Sequence, residues 1–384
     1  MKKHVLYLFL AAGLGLILIG VITTYIFYSK MVVKPNKSVV SNLVVTPTAT
    51  PTPDPLAPYS FLLMGYGGGV HEGGATTDSI MVAKIDPRNE KVILISIPRD
   101  LWVPIPINGD ETKSFKINAA YPIGLSDKQY PNKKVEFTGR AGGGELSKAV
   151  VEKVIGFKID YFAALDFNGF VKVIDILKGI DVKVERTFND PFYPLEIGIT
   201  DTCGKTEEDI KALTATMSGD KLEQQFICRY ENLHFEKGIQ HMDGATALKF
   251  ARSRHSPQDG GDFNRAARQR LVVTAVRDRV VSIGFVSKII PTVKALTGSL
   301  TTDVDFTKMN ELATKIPEIS KYKITSIALT DKDVLTNAVS SGGQYILSPK
   351  AGENNWDEVS KFIEDPASIV TPTPTIIKKP TGTI

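Results

Sequence analysis

The stretch "DYFAALDFNGFVKVIDILKGIDVKV", residues 160–184, decides the fold class. Asp160 to Phe167 reads as a strand, Gly169 to Leu177 as a helix, and Ile180 to Val184 as a second strand. The same alternation recurs on both sides of it. Phe61 to Met64, Ile80 to Ala83 and Val92 to Ile97 read as buried strands. Glu145 to Ile155 is amphipathic, with Leu146, Ala149, Val150 and Val154 spaced for one helical face. Asp243 to Phe250 reads as a helix, and Arg265 to Val281 as a longer one. Strands and helices mixed in this way predict an α/β fold, an α-β-α sandwich with helices on both faces of a central mixed sheet.

Residues 61–82, "FLLMGYGGGVHEGGATTDSIMV", place a glycine run between two of those strands. Glycine-rich turns after a strand often cradle phosphate. No Gly-Lys-Ser/Thr follows, which sets aside a P-loop nucleotide hydrolase. His71, Glu72 and Asp78 are the polar residues of this connection with chemistry to offer.

The N-terminus carries its own signal. Met1 to His4 precede an uncharged, mostly apolar run from Val5 to Tyr28, which supplies the ~20 residues a bilayer span needs. The run is long for a signal-peptide core and lacks a clear small-residue cleavage site, although a cleaved signal is the alternative. Lys2 and Lys3 favour a cytoplasmic N-terminus, against Lys30, Lys34 and Lys37 on the far side. The expected organisation is a cytoplasmic 1–4, a transmembrane helix 5–28, a Thr/Pro-rich extracellular linker 29–58, a folded domain 59–365 and a disordered tail 366–384. The linker's "TPTATPTPDPLAP" favours an extended spacer. The chain is thus expected in the cell membrane as a single-pass protein with its domain outside.

A net charge of +4 over 384 residues gives no bulk argument for nucleic acid, so any basic site must be local. Cys203 and Cys228 show no metal-ligand spacing. They bracket a polar, irregular excursion at 190–235. If the domain is outside the membrane they can pair, contributing roughly 3 kcal/mol in the chain-entropy model; otherwise they are buried thiols.

Three arginine groups stand out. Arg99 follows an apolar strand in "SIPRDLW", at the rim where α/β folds bind ligands, or it simply pairs with Asp100. Arg252 and Arg254, in "LKFARSRHS", point the same way if the chain is extended there, giving two planar forks suited to phosphate. At a helix C-terminus they would be two solvated cations favoured by the dipole. The third group is "DGGDFNRAARQRLVVTAVRDRV". At about 100° per residue, Arg265, Arg268, Gln269, Val272 and Val276 share one stripe, while Arg270 and Arg277 oppose it. Arg265, Arg268 and Gln269 therefore point inward, where unpaired charge is costly and calls for a buried anion or carboxylates. Asp262, just before this helix, is either its N-cap or a cation ligand.

The segments "TTDSIMVAKIDP", "VILISIPRDLWV", "KINAAY", "DYFAALDFNGFVKVIDILKGIDVKV", "FNDP", "FEKGIQHMDGATALKFARSR" and "GGDFNRAARQRLVV" occur in order over about 59–284. In these the chain resembles the LytR-CpsA-Psr family of cell-wall enzymes. The resemblance implies a phosphotransferase that moves a glycopolymer from a polyprenyl-pyrophosphate lipid to a peptidoglycan hydroxyl, forming a phosphodiester. It implies a membrane-lipid groove, with Arg99, Lys116, Arg252, Arg254, Arg265, Arg268 and Gln269 around the pyrophosphate. Asp78 matches the family's metal-site aspartate, which holds Mg²⁺ (or Mn²⁺) and can help activate the hydroxyl. Relatives usually add an aspartate in a "GxD" turn after the first strand, and an arginine two residues before the position of Asp78. Here "GYGG" and Thr76 stand in those places. His71, Glu72, Asp262, or the pyrophosphate and water, then complete the metal shell, and activity is expected to survive. The competing readings are a polyprenyl-pyrophosphate hydrolase that uses the same residues and a non-catalytic binder of wall polymer or lipid.

Overall fold

The computed structural model describes residues 29–36, 54, 56–69, 74–195, 200–282, 292, 296–319 and 321–366. The expected span at 5–28, most of the linker and the tail from 367 lie outside the described residues, as do His71 and Glu72. Among the described residues no helix is long and apolar enough to cross a membrane.

In chain order the strands are β1 (Tyr59–Tyr66), β2 (Thr77–Asp86), β3 (Lys91–Ser96), β4 (Trp102–Asn108), β5 (Glu111–Lys116), β6 (Tyr161–Asp166) and β7 (Ile180–Val184). They continue as β8 (Phe188–Pro194), β9 (Tyr230–Phe235), β10 (Gly238–Met242), β11 (Leu300–Thr302), β12 (Lys323–Ala328), β13 (Leu335–Val339) and β14 (Tyr345–Pro349). The helices that matter for the site are α1 (Ala120–Leu125), α2 (Gly142–Ile155), α3 (Phe167–Ile176), α4 (Glu207–Thr216), α5 (Gly244–Arg252), α6 (Asp262–Ser282), α7 (Phe306–Ile319) and α8 (Asp357–Glu364).

The central sheet has six strands in the order β11-β6-β1-β2-β3-β12. It is mixed: β1 runs antiparallel to β2 and parallel to β6, and β12 runs parallel to β3. Both edge strands, β11 and β12, come from the region beyond residue 284, so that region completes the domain. Smaller two-stranded sheets pair β4 with β5, β7 with β10, β8 with β9, and β13 with β14.

Alternation along the strands sends side chains to two faces. Leu62, Ile80, Val82 and Phe162 pack beneath Leu146, Val150 and Val154 of α2 and Val359 of α8. Each such side chain, fully removed from water, contributes about 1.5–3 kcal/mol. The close approach has a visible cause: a Cβ at Gly144 would occupy the space of the Phe162 ring. On the other face Met81, Ala83 and Leu94 form a second cluster with Val273 of α6 packed against it. The sheet therefore has helices on both faces.

Helix boundaries follow local chemistry. Asp166 caps α3 by accepting from the Gly169 amide at 2.7 Å, and Asp243 caps α5 through the Thr246 amide at 2.8 Å. α6 is packed between β7 on one side and β3 and β12 on the other. Arg270, expected on a solvated face, is half-buried there and donates to the Ser96 hydroxyl at 2.9 Å. The expected excursion is shorter than 190–235, because its two ends are β8 and β9, paired with each other. Cys203 and Cys228 form a disulfide inside what remains of it.

Candidate active site

The glycine connection between β1 and β2 is a hairpin, not the approach to a helix N-terminus. The Gly68 amide donates to the Gly74 carbonyl at 2.9 Å across its base. Gly68 has a φ of +76°, and the side chain beside it is Asp166. Among its described residues no helix begins, so none of them aims a helix dipole at a phosphate. Its contribution is Asp78, which β2 holds near its start.

The sheet face turned away from α2 is apolar and only partly filled by α6. Leu63, Met81 and Leu165 of the sheet, Phe170 of α3, and Val272 and Val276 of α6 wall a cavity of about 550 Å³. This explains why the strands read as continuous apolar runs: one face packs against α2 and α8, and the other partly packs against α6 and partly lines this space. Arg252, Arg254, Arg265, Gln269 and Asp78 also line it. A second, more polar cleft of about 230 Å³ shares Asp78, Arg265 and Gln269 with the first and adds Arg99, Asp100, Asp262 and Tyr345. Residues separated by some 190 positions thus meet where an apolar space joins a charged one.

The charges are arranged in detail. Arg99 ion-pairs with Asp78, and its Nε lies 3.5 Å from Asp100. Burial pulls the Arg99 guanidinium down, but Asp78, Asp262 and Asp100 outweigh that and raise it. Lys116 reaches Asp100 at 2.5 Å and lines neither cavity, so it acts on the site through that carboxylate. Arg265 is buried and lies 2.8 Å from Asp262. Burial lowers its guanidinium, Asp262 opposes this, and Arg99 and Arg254 add to the lowering. Crowded cations of this kind are stabilised by an anion.

Arg252 is held differently. Its guanidinium sits 4.5 Å from the centre of the Phe167 ring and donates to the Tyr193 hydroxyl at 3.0 Å. Among the described residues it has no carboxylate partner. Tyr193 and Asp190, both in β8, belong to the site and fall within the stretch read as irregular. Asp190 is buried, and one of its oxygens accepts from the Ser253 hydroxyl and from the amides of Arg254 and His255. This fixes the turn that presents Arg252 and Arg254. The available signal was "FNDP", whose aspartate is this one.

Arg268 requires a correction. It points inward, as the stripe argument requires, but toward backbone and not toward the cavity. Its guanidinium donates to the carbonyls of Phe250, Ser253 and Asp259 and to the Asp259 carboxylate. All three of its nitrogens are engaged in holding the end of α5 and the loop after it, and it lines neither cavity, so it is not placed to contact the pyrophosphate. Asp262 is the first residue of α6, and its Oδ1 is buried with no aligned hydrogen bond.

The LytR_cpsA_psr family model matches residues 23–361. The polyisoprenyl-teichoic acid–peptidoglycan teichoic acid transferase TagV of Bacillus subtilis (strain 168) is 27% identical over 310 residues, 80% of this chain and 64% of that protein. The chain therefore spans less than two thirds of that relative's length. TagU of Oceanobacillus iheyensis, a transferase of the same description, is 27% identical over 290 residues, 75% of this chain and 71% of that protein. The crystal structure of B. subtilis TagV is similar with a TM-score of 0.52 at 25% identity, covering 82% of this chain and 99% of that one.

Proposed function

The chain belongs to the LytR_cpsA_psr family, and from that premise we propose that it transfers a glycopolymer from a polyprenyl-pyrophosphate carrier to a peptidoglycan hydroxyl. The observation that carries this reading is the junction of the two cavities. An apolar space suits a prenyl chain, and guanidinium groups stand where its pyrophosphate head would lie. The charge balance agrees. Arg99, Arg252, Arg254 and Arg265 line the two cavities against the carboxylates of Asp78, Asp100 and Asp262, and Lys116 neutralises Asp100 from outside them, an excess of two positive charges in all. A pyrophosphate diester carries two negative ones.

In this mechanism the acceptor hydroxyl oxygen bonds to the sugar-proximal phosphorus. The bond from that phosphorus to the bridging oxygen breaks, and polyprenyl phosphate leaves with the electron pair. The hydroxyl proton passes to Asp78. Charge spread over the transferring phosphoryl oxygens is met by Arg252, Arg254 and Arg265, already in place before reaction, so positioning and electrostatics supply the acceleration. Arg99 orients Asp78 through their ion pair.

The donor set also fits a hard divalent cation. Asp78 and Asp262 line one cleft, and although Asp262 Oδ1 lies 2.8 Å from Arg265 and Asp78 pairs with Arg99, each carboxylate keeps a second oxygen that could take a cation. Mg²⁺ is commonly held by one or two carboxylates with substrate phosphates and water, and bound here it would supply further charge neutralisation at the pyrophosphate. Among the described residues, the single cluster with metal-ligand proximity is Asp201 with Cys203 and Cys228, whose sulfurs are already bonded to each other. The organisation that serves this function is a membrane span at 5–28 with the domain 59–365 outside the cell, close to lipid-borne substrate.

The test is direct. Purified protein is given a polyprenyl-pyrophosphate oligosaccharide and peptidoglycan oligomers, with and without Mg²⁺. A phosphodiester-linked adduct and free polyprenyl phosphate are expected. Free sugar phosphate with no adduct would mean a hydrolase. Full cellular function in Asp78→Ala alongside loss in Arg252→Ala would mean a binding protein.

A further inference from the structure

We propose that the β13–β14 hairpin forms the binding subsite for the acceptor glycan, with Tyr345 as its stacking platform; this rests on the transferase reading above. Displacement at phosphorus places the entering and leaving oxygens roughly in line. The leaving polyprenyl phosphate is held by its chain in the apolar cavity. The entering sugar hydroxyl therefore comes from the other side of the shared residues Asp78, Arg265 and Gln269, which is the polar cleft. The wall of that cleft includes Tyr345 and Leu347 of β14.

The hairpin's register makes a platform there. Leu335 pairs with Pro349, Asn337 with Leu347, and Val339 with Tyr345. With the period of two, these six residues share one face. Its inner end, Leu335, Leu347 and Pro349, is buried, and the Leu347 amide donates to the Asp100 carbonyl at 3.0 Å. The hairpin is thus tied to the residue that follows Arg99. Its outer end leaves Val339 70% and Tyr345 49% exposed and side by side, with Tyr345 on the cleft wall.

The ring is also fixed in place. The Tyr345 hydroxyl donates to Asn337 Oδ1 at 2.7 Å, and Asn337 Nδ2 donates to Asp331 at 3.1 Å. An exposed aromatic held by two hydrogen bonds in series has lost its conformational entropy before any ligand arrives. A pyranose ring presents an apolar C–H face and an edge of hydroxyls. The Tyr345 and Val339 surfaces suit the face, and the Asn337 and Asp331 oxygens suit the edge. This is the chemistry of a peptidoglycan strand laid beside the charged cleft with one hydroxyl projecting toward Asp78.

The experiment uses full-length protein with a polyprenyl-pyrophosphate disaccharide donor and a peptidoglycan tetrasaccharide-peptide acceptor. Tyr345→Ala is expected to raise the acceptor KM roughly tenfold, the loss of one aromatic anchor, and to leave the donor KM at its wild-type value. Val339→Ser shifts acceptor KM in the same direction by less, and Tyr345→Phe, which keeps the ring, restores most of the loss. Saturation-transfer NMR with acceptor alone should show contact to wild type and not to Tyr345→Ala. Equal rises in both KM values, or an unchanged acceptor KM in both Tyr345→Ala and Val339→Ser, overturn the subsite while the transferase reading stands. Acceptor contact that depends on Tyr345, with no adduct formed by wild type, supports the glycan subsite and overturns the transferase reading.

Discussion

The Ser253 hydroxyl donates to the buried carboxylate of Asp190 at 2.7 Å, tying β8 to the turn that presents Arg252 and Arg254. The same carboxylate takes amides from Phe192, Arg254 and His255. Burial by itself pushes this carboxyl's pKa up, but the Ser253 hydroxyl and the three amides outweigh burial and hold it below the ordinary value. A folded pKa below the unfolded one means that the stabilisation is complete above the unfolded value, near 3.8. It is lost as pH falls through the folded value. The urea midpoint should therefore fall in acid below about pH 4. Asp190→Asn should remove that part of the acid dependence and cost roughly 1–3 kcal/mol at neutral pH by leaving buried donors poorly satisfied. An unchanged acid limb in Asp190→Asn would count against this carboxylate as its source.

Arg268→Lys should damage stability before chemistry. Lysine has three donors on one nitrogen and cannot reach the carbonyls of Phe250, Ser253 and Asp259 together. A loss of about 2–4 kcal/mol is expected from stranded buried acceptors. Fluorescence-monitored denaturation reads it. A variant with wild-type stability and weakened donor binding would return Arg268 to the site.

Much of the architecture could be read from the chain, because strand and helix periods differ. β1, β2, β3, β6 and β7, with α2, α3, α5 and α6, lie close to the positions their apolar patterns indicate. The inward placement of Arg265 and Gln269 was likewise legible, since a polar residue on an apolar stripe must point at something polar, whereas Arg252 is assigned to the site only through the family resemblance. What that something is cannot be read from a stripe. For Arg265 it is a cavity, and for Arg268 it is three carbonyls. Arg270 misled for a related reason: α6 is covered on two sides, so its outer face is not solvent. Tyr193 and Asp190 were hidden because Pro191, Pro194 and a register shift break the alternation of β8. Tyr345 lies beyond the last recognisable motif, in a hairpin whose importance depends on which cleft it borders.

Filling the apolar cavity should separate binding from folding. Val276 lines that space from α6 and is only partly buried. Val276→Phe adds carbon where the protein leaves a void, so stability should hold or rise, as cavity-filling changes commonly give about 0.5–2 kcal/mol. Binding of a long-chain polyprenyl pyrophosphate should weaken, while a short-chain pyrophosphate analogue should bind as to wild type. The measurement is titration calorimetry with both ligands. Equal loss for both would place the lipid elsewhere.

Arg252 offers the sharpest test of the head-group assignment. Its guanidinium lies over the Phe167 ring, 5.4 Å from the centre of the Tyr193 ring, and is held by the Tyr193 hydroxyl. With no carboxylate partner among the described residues, its charge is available to a ligand. Arg252→Ala should cost about 2 kcal/mol of donor binding, close to thirtyfold in affinity. Arg252→Lys keeps the charge but loses the planar fork and the stack, so it should recover only part. Phe167→Leu removes the stack and keeps the fork, and its loss should be smaller than that of Arg252→Ala. Affinities measured at two salt concentrations separate the contributions: the salt dependence should shrink in Arg252→Ala and persist in Phe167→Leu, because screening acts on charge and not on stacking. Wild-type affinity in Arg252→Lys would mean that a point charge suffices and that the geometry of Phe167, Tyr193 and Arg252 serves the fold instead.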